Sequence, residues 1–349
     1  MSADPKSILI ILHGSIGDVT RALPLANLLR RRFSSAKLAW AVEAPSRPLV
    51  ERHPAIDEVI LFDRSHWWKN IIPFLRKIRS RRFDLVLDLQ RHLKSGLISF
   101  CSGAPYRIGF NRENCKEWNW IFNNRFIPAL GNGIPKLQHY LKFAEYLGID
   151  PQPIVWDLAL SAEEQLDVER QLQGVARDFA VLFVSSRWES KRWFPSQIAE
   201  CARITRERYD LDVVLLGSRE DKDIARALPH RDPRRIRDLV GQTSLQEALG
   251  IIAKARVAIG PDTGLMHIAA AVGTPVVSLW GATSPQRTGP YGFDDLVIQG
   301  KAACVPCYRK RCPVDRICMR SIETEEIAEK IRLALSRGCN RALAYAFSE

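Results

Sequence analysis

The chain has 349 residues, 46% hydrophobic and 26% charged, enough apolar material for two packed domains and too much for a disordered chain. With 51 Lys and Arg against 39 Asp and Glu, the formal charge of +12 predicts attraction to something anionic: nucleic acid, a lipid surface or a phosphorylated small molecule. No run of about 18 apolar residues occurs, which excludes a hydrophobic membrane-spanning helix.

The first apolar run, Ile8 to Leu12, is too short for a signal-peptide core and fits a buried strand, so a cytoplasmic protein is expected. Further strand-like runs at 37–42, 58–62 and 85–89 are separated by amphipathic stretches at 22–33 and 67–79. Such alternation predicts a parallel sheet wrapped by helices. The loop after the first strand, His13-Gly-Ser-Ile-Gly-Asp18, places a carboxylate where a helix begins. Asp18 there is either an N-terminal helix carboxylate favoured by the dipole or a general base.

Gly131-Asn-Gly133, Pro135 and Asp150-Pro-Gln-Pro153 make the middle irregular and predict a linker between domains. Alternation restarts after a polar helix at 161–173, with strands at 180–185, 212–217, 256–260 and 275–280. Two Rossmann-like halves facing across a cleft follow, with ligands beyond the carboxyl ends of the strands. Ser185 and Ser186 end one strand, and Lys191 lies on the loop after it. Asp210-Leu-Asp212 has the look of a metal-binding Asp-x-Asp, but it lies at the start of a predicted strand, away from that cleft.

The most informative stretch is Gly260-Pro-Asp-Thr-Gly-Leu-Met-His267. It reads as a buried strand at 255–259, a tight turn, and a helix beginning Asp262-Thr263-Gly264. Backbone N–H groups at a helix start have no intrahelical partner and sit at the positive end of the dipole, so a phosphate can dock there without a metal. Gly264 allows close approach, and His267 can offer a ring N–H one turn on. Downstream, Cys304, Cys307, Cys312 and Cys318 form a four-thiol cluster. A structural zinc or iron site, reduced thiols and a redox-labile disulfide pair all remain open for it. Thr324 is the expected N-cap of a last helix at 324–337.

Taken together, GSIGDVTRALP, KRWFP and GPDTGLMHIAAA resemble glycosyltransferase family 9, the ADP-heptose:lipopolysaccharide heptosyltransferases, over nearly the whole chain. The resemblance implies the GT-B architecture: an acceptor domain at 1–155, a nucleotide-sugar domain at 156–325, and a C-terminal helix, 326–349, packing back toward the first. It implies inverting transfer with no catalytic cofactor. By position Asp18 becomes the base and Lys191 the diphosphate contact. Asp262, Thr263, Gly264 and His267 form the donor turn, Ser185 and Ser186 the strand-end hydroxyls, and Glu220 a nucleoside contact. The sequence departs from the family's usual pattern at His13 and Phe194.

The implied partners are ADP-heptose or a related nucleotide sugar and a phosphorylated lipid-linked saccharide. Arg64, Lys69, Arg91 and Lys94 are the candidate acceptor-phosphate contacts. Basic residues interleaved with Trp67, Trp68, Ile71, Ile72 and Phe74 suit a peripheral position on the anionic inner leaflet. Another donor sugar, a protein acceptor, or a catalytically silent nucleotide-binding module are the competing readings. Nucleic acid is disfavoured, because no recognised module or stacking strip appears.

Overall fold

The computed structural model describes residues 4–63, 65, 67–228 and 234–337, which divide into two compact units at Asp157 and Leu158. In the first, alternation gives β1 (Ser7–Ile11), α1 (Ile16–Arg32), β2 (Lys37–Val42), α2 (Arg47–Glu51), β3 (Glu58–Leu61) and α3 (Trp67–Ser80). β4 (Leu85–Asp88), α4 (Leu93–Ser102), β5 (Tyr106–Gly109), β6 (Arg125–Phe126) and α5 (Lys136–Tyr146) follow. The sheet order is β3-β2-β1-β4-β5-β6, every pair parallel. Its central strands are buried on both faces, which is why they read as unbroken apolar runs.

α1 carries Pro24 without breaking. A proline has no N–H for the carbonyl four residues back, which here belongs to Thr20. The indole N–H of Trp156 donates to that carbonyl at 3.0 Å, so the vacancy left by the proline is filled by the segment leaving the unit.

In the second unit α6 (Ala162–Gln171) is opened by Ser161, whose hydroxyl accepts from Glu164 N–H while Glu164 accepts from Ser161 N–H. After it come β7 (Phe179–Phe183), α7 (Pro195–Tyr209), β8 (Asp212–Leu216), α8 (Lys222–Arg226), β9 (Ile236–Asp238) and α9 (Leu245–Lys254). The chain continues through β10 (Val257–Pro261), α10 (Gly264–Ala271), β11 (Val276–Trp280), α11 (Pro285–Thr288), β12 (Val297–Gln299), α12 (Ile317–Arg320) and α13 (Thr324–Ser336). The order β12-β11-β10-β7-β8-β9 repeats the arrangement of the first sheet, again all parallel. In an open parallel sheet, ligands gather where the strand order reverses. That point is between β1 and β4 in one unit and between β7 and β10 in the other.

Three expectations need correction. Residues 136–146, expected inside the linker, form α5, because a helix-spaced apolar set (Leu137, Tyr140, Leu141, Ala144) buries itself and packs on α1. α10 begins at Gly264, not Asp262: Thr263 keeps extended angles as its N-cap, and the preceding strand runs on to Pro261. α13 is capped by Glu323, with Thr324 its first helical residue. α13 packs on α7 and β11 within the second unit, and Tyr209 Oη donates to Ala328 O at 2.6 Å. Residues 338–349 lie outside the described residues.

Candidate active site

At the switch point of the first unit, Ser15 is the N-cap of α1 and Asp18 occupies the third helical position. Oδ1 of Asp18 receives Arg21 Nη2 at 2.6 Å and the ammonium of Lys136. Among the described residues Oδ2 has only long contacts, 3.4 Å each, from the amide and hydroxyl of Ser15. Burial alone would raise this carboxyl's pKa. The charges and hydrogen bonds of Lys136 and Arg21 outweigh it and hold Asp18 far below the usual carboxylate range.

Beside it, Asp88 at the end of β4 is fully buried and pairs in register with Ile11. Its carboxylate accepts from Asn119 Nδ2 (2.7 Å), Ser95 Oγ (3.2 Å), Asn123 Nδ2 (3.3 Å) and Gln90 N–H (3.1 Å). Burial nevertheless pushes its pKa up to about 6. His13 stacks on Phe62 at 4.6 Å, edge-on to Phe74, with its Nε2 buried and without a hydrogen-bond partner among the described residues. Burial lowers its pKa to about 4, so it is neutral near pH 7.

In the second unit, residues from β7, β10 and β11 converge. Lys191, closing a short 3-10 turn, meets Asp262 Oδ2 at 2.6 Å, and Thr283 Oγ1 donates to the same oxygen at 2.7 Å. Ser186 Oγ donates to Asp262 O at 2.7 Å, with Ser185 beside it. Asp262 is therefore the anchor of the turn, holding Lys191 in place. No side chain caps α10, so its leading amides at the partly open Thr263, Gly264 and Leu265 face outward with the dipole. His267 is buried one turn further on. Glu220 is exposed in a 3-10 turn after β8.

The cysteine loop sits against the Lys191 turn. Ser190 donates through N–H to Lys310 O (3.2 Å) and through Oγ to Arg309 O (2.5 Å), Cys312 N–H donates to Glu189 Oε2 (2.9 Å), and Arg316 pairs with Glu189 at 3.0 Å. Arg316 N–H donates to Cys312 Sγ at 3.1 Å. Cys304 is exposed and Cys318 buried, and among the described residues no three Cys, His, Asp or Glu side chains gather as a metal cage. Asp212 and Asp210 both pair with Arg235, which gives the Asp-x-Asp a structural role at the opening end of β8.

Of the expected acceptor contacts, Lys69 and Lys94 are exposed and Arg91 is half-buried, its guanidinium donating to Asn114 O at 3.3 Å. Arg64 and the side chains of Trp67 and Trp68 lie outside the described residues. Sequence reasoning missed Lys136, Thr283 and the Asp88 network. The apolar spacing of Leu137, Tyr140, Leu141 and Ala144 is the signal that would have found α5, but nothing local signals a partner 118 positions from Asp18.

Two six-stranded parallel sheets, each with a strand-order switch point, one beside the Asp18 carboxylate and the other beside the uncapped start of α10, give the GT-B class of fold. The family model for glycosyltransferase family 9 (heptosyltransferase) matches residues 71–318, and the chain belongs to that family. It is 27% identical over 304 residues to the lipopolysaccharide core heptosyltransferase OpsX of Haemophilus influenzae, covering 84% of each chain. Among solved structures it resembles a family 9 glycosyl transferase from Veillonella parvula, with TM-score 0.80, 18% identity and coverage of 97% and 99%. It also resembles the ADP-heptose heptosyltransferase II of E. coli, with TM-score 0.75, 25% identity and coverage of 95% and 99%. No helix among the described residues is long and apolar enough to cross a membrane.

Proposed function

We propose that this chain transfers a heptose from ADP-heptose to a hydroxyl of a phosphorylated, lipid-linked lipopolysaccharide inner core, with inversion and without a catalytic metal, as a cytoplasmic protein peripheral to the inner membrane. The observation that carries this reading is the start of α10, which no side chain caps, with Lys191 held beside it by Asp262. The acceptor oxygen attacks the anomeric carbon as its proton passes to Oδ2 of Asp18, the oxygen not claimed by Lys136 and Arg21. A carboxylate held so strongly ionised is a weak base, so the proton moves late, as the new bond forms. The charge developing on the departing ADP falls on Lys191, His267 and the amides of Thr263 and Gly264. This fixed charge supplies what a metal would otherwise provide, and the cysteine loop braces the turn that presents Lys191.

A thermal-shift panel of ADP, UDP, GDP and CMP tests the donor. Selective stabilisation by ADP is expected, about 2.7 kcal/mol at a hundredfold excess over Kd. Equal shifts with all four would remove the ADP-heptose assignment, and transfer assayed with ADP-heptose and a delipidated core acceptor tests the reaction itself.

A further inference from the structure

One face of the first unit gathers several exposed apolar side chains. On α4, Leu93, Leu97 and Phe100 share a face at spacings of four and three residues and are 41%, 40% and 56% exposed. The 3-10 turn at Asn119–Phe122 continues this face with Ile121, 53% exposed, and with Trp118 before it, 73% exposed. The pieces are contiguous. Glu117 accepts from Leu93 N–H at 3.2 Å, Gly96 packs directly on Asn119 and Phe122, and Phe122 meets Phe100 with centroids 6.3 Å apart. Trp118 holds a left-handed φ of 58°, a conformation bulky residues avoid, so the backbone is bent in a way that displays this indole.

We propose that this face is a docking surface for an anionic lipid bilayer. Charge chooses the occupant: residues 91–126 carry six Lys and Arg against two Glu, and Lys94, Arg112 and Lys116 are exposed around the apolar residues. A second copy seated on the same face would set one basic rim against another, whereas phosphate headgroups neutralise it while the indole and Phe100 enter the interface. α4 also starts beside Asp88 and Gln90 at the carboxyl ends of the strands, so a bilayer on this face brings lipid-linked acceptors to the end of the sheet that carries Asp18. The proposal rests on the lipid-linked acceptor reading above.

The test is sedimentation of the full chain with phosphatidylethanolamine/phosphatidylglycerol vesicles and with phosphatidylcholine vesicles. Two variants each remove two of the five apolar residues: Leu97→Gln with Phe100→Gln, and Trp118→Gly with Ile121→Ser, glycine being suited to the left-handed φ at 118. A third, Lys116→Glu with Arg112→Glu, reverses two rim charges. The wild type should pellet with the anionic vesicles only. Both apolar variants should lose at least about fivefold in partitioning, and each reversed charge should cost about fivefold or more. All should keep wild-type thermal midpoints and transfer to a delipidated acceptor. Wild-type protein that ignores anionic vesicles, or variants that pellet as it does, would overturn the proposal. So would light scattering that finds a dimer split by the Leu97 and Phe100 changes, since the face would then belong to a second copy. Vesicle binding of this pattern with no transfer to the delipidated acceptor would leave the surface standing and remove the activity reading instead.

Discussion

Lys136 and Asp18, 118 residues apart, form an ion pair on one carboxylate oxygen, with Arg21 on the same oxygen at 2.6 Å. The two cations keep the group charged although it is only partly open to solvent, and leave the other oxygen toward Ser15. The elements packed on α1 bring few other charges: His139 of α5 is bonded to Ile134 O, and Arg47 and Glu51 of α2 pair with each other. Asp18→Asn should lower kcat by about 100-fold to 10,000-fold, the usual range for losing a general base, while ADP still raises the thermal midpoint. Loss of ADP stabilisation in that variant would mean that Asp18 serves the fold, not the reaction.

Lys136→Met removes one of the two cations and leaves burial less opposed, so the carboxyl's pKa must rise. The sign is fixed: a group needed in its ionised form loses activity as pH falls through its pKa. Loss of kcat/KM on acidification should therefore set in at a higher pH in the Met variant than in the wild type. Lys136→Arg should restore the wild-type acid limb. A limb that does not move in the Met variant would show that Lys136 acts only as a packing partner.

How much of this was legible beforehand depends on range. Strands such as Lys37–Val42 and Val276–Trp280 were legible because burial on both faces leaves a continuous apolar signature. The polar helix at 161–173 was legible from its composition and is seen at Ala162–Gln171, and Asp18, Lys191 and Gly264 were picked out by motif. α5 was hidden by Gly131, Gly133 and Pro135 just upstream, and the two-residue β6 is too short and polar to carry a periodic signal. The pairings that set the chemistry, Lys136 with Asp18 and Thr283 with Asp262, join distant positions that only the closed sheet brings together.

The Lys191 and Asp262 pair yields a coupling prediction. Lys191→Ala should raise the donor KM by about 10-fold to 100-fold and lower kcat as well, since a charge-assisted contact to the diphosphate is worth about 1.5–3 kcal/mol. Asp262→Asn, which loosens the lysine's anchor, should give a smaller loss of the same kind. If the carboxylate works by aiming Lys191, the double variant should be no worse than Lys191→Ala alone. Additive losses in that cycle would show two independent roles.

Gly300 sits where a methyl group has no room. A Cβ there would lie 1.9 Å from Cys318 O, with Trp280 O at 3.3 Å, and these are backbone atoms that cannot swing aside. Gly300→Ala should destabilise the second unit by about 1–3 kcal/mol and lower the midpoint seen with ADP. Gly131 has nothing within 4 Å and no left-handed φ, so Gly131→Ala should be neutral or stabilising by up to about 1 kcal/mol. Chemical unfolding of the two variants in parallel checks both values.

His13 and Asp88, both buried at the switch point of the first unit, should pull stability in opposite directions between pH 4 and 7. His13 has a folded pKa of about 4 against about 6.5 unfolded, so on acidification the unfolded chain binds the proton first and stability falls. Asp88 has a folded pKa of about 6 against about 3.9 unfolded, so over much of the same window the folded protein binds the proton first and stability rises. Each contribution is on the order of 3 kcal/mol, and together they largely cancel. Asp88→Asn should expose the histidine's slope, with urea midpoints dropping from pH 7 to pH 4.5. His13→Phe, which can keep the stacking with Phe62 and Phe74, should expose the carboxyl's slope, with midpoints rising over that range. Identical pH slopes in the two variants would mean that neither buried group titrates where its surroundings place it.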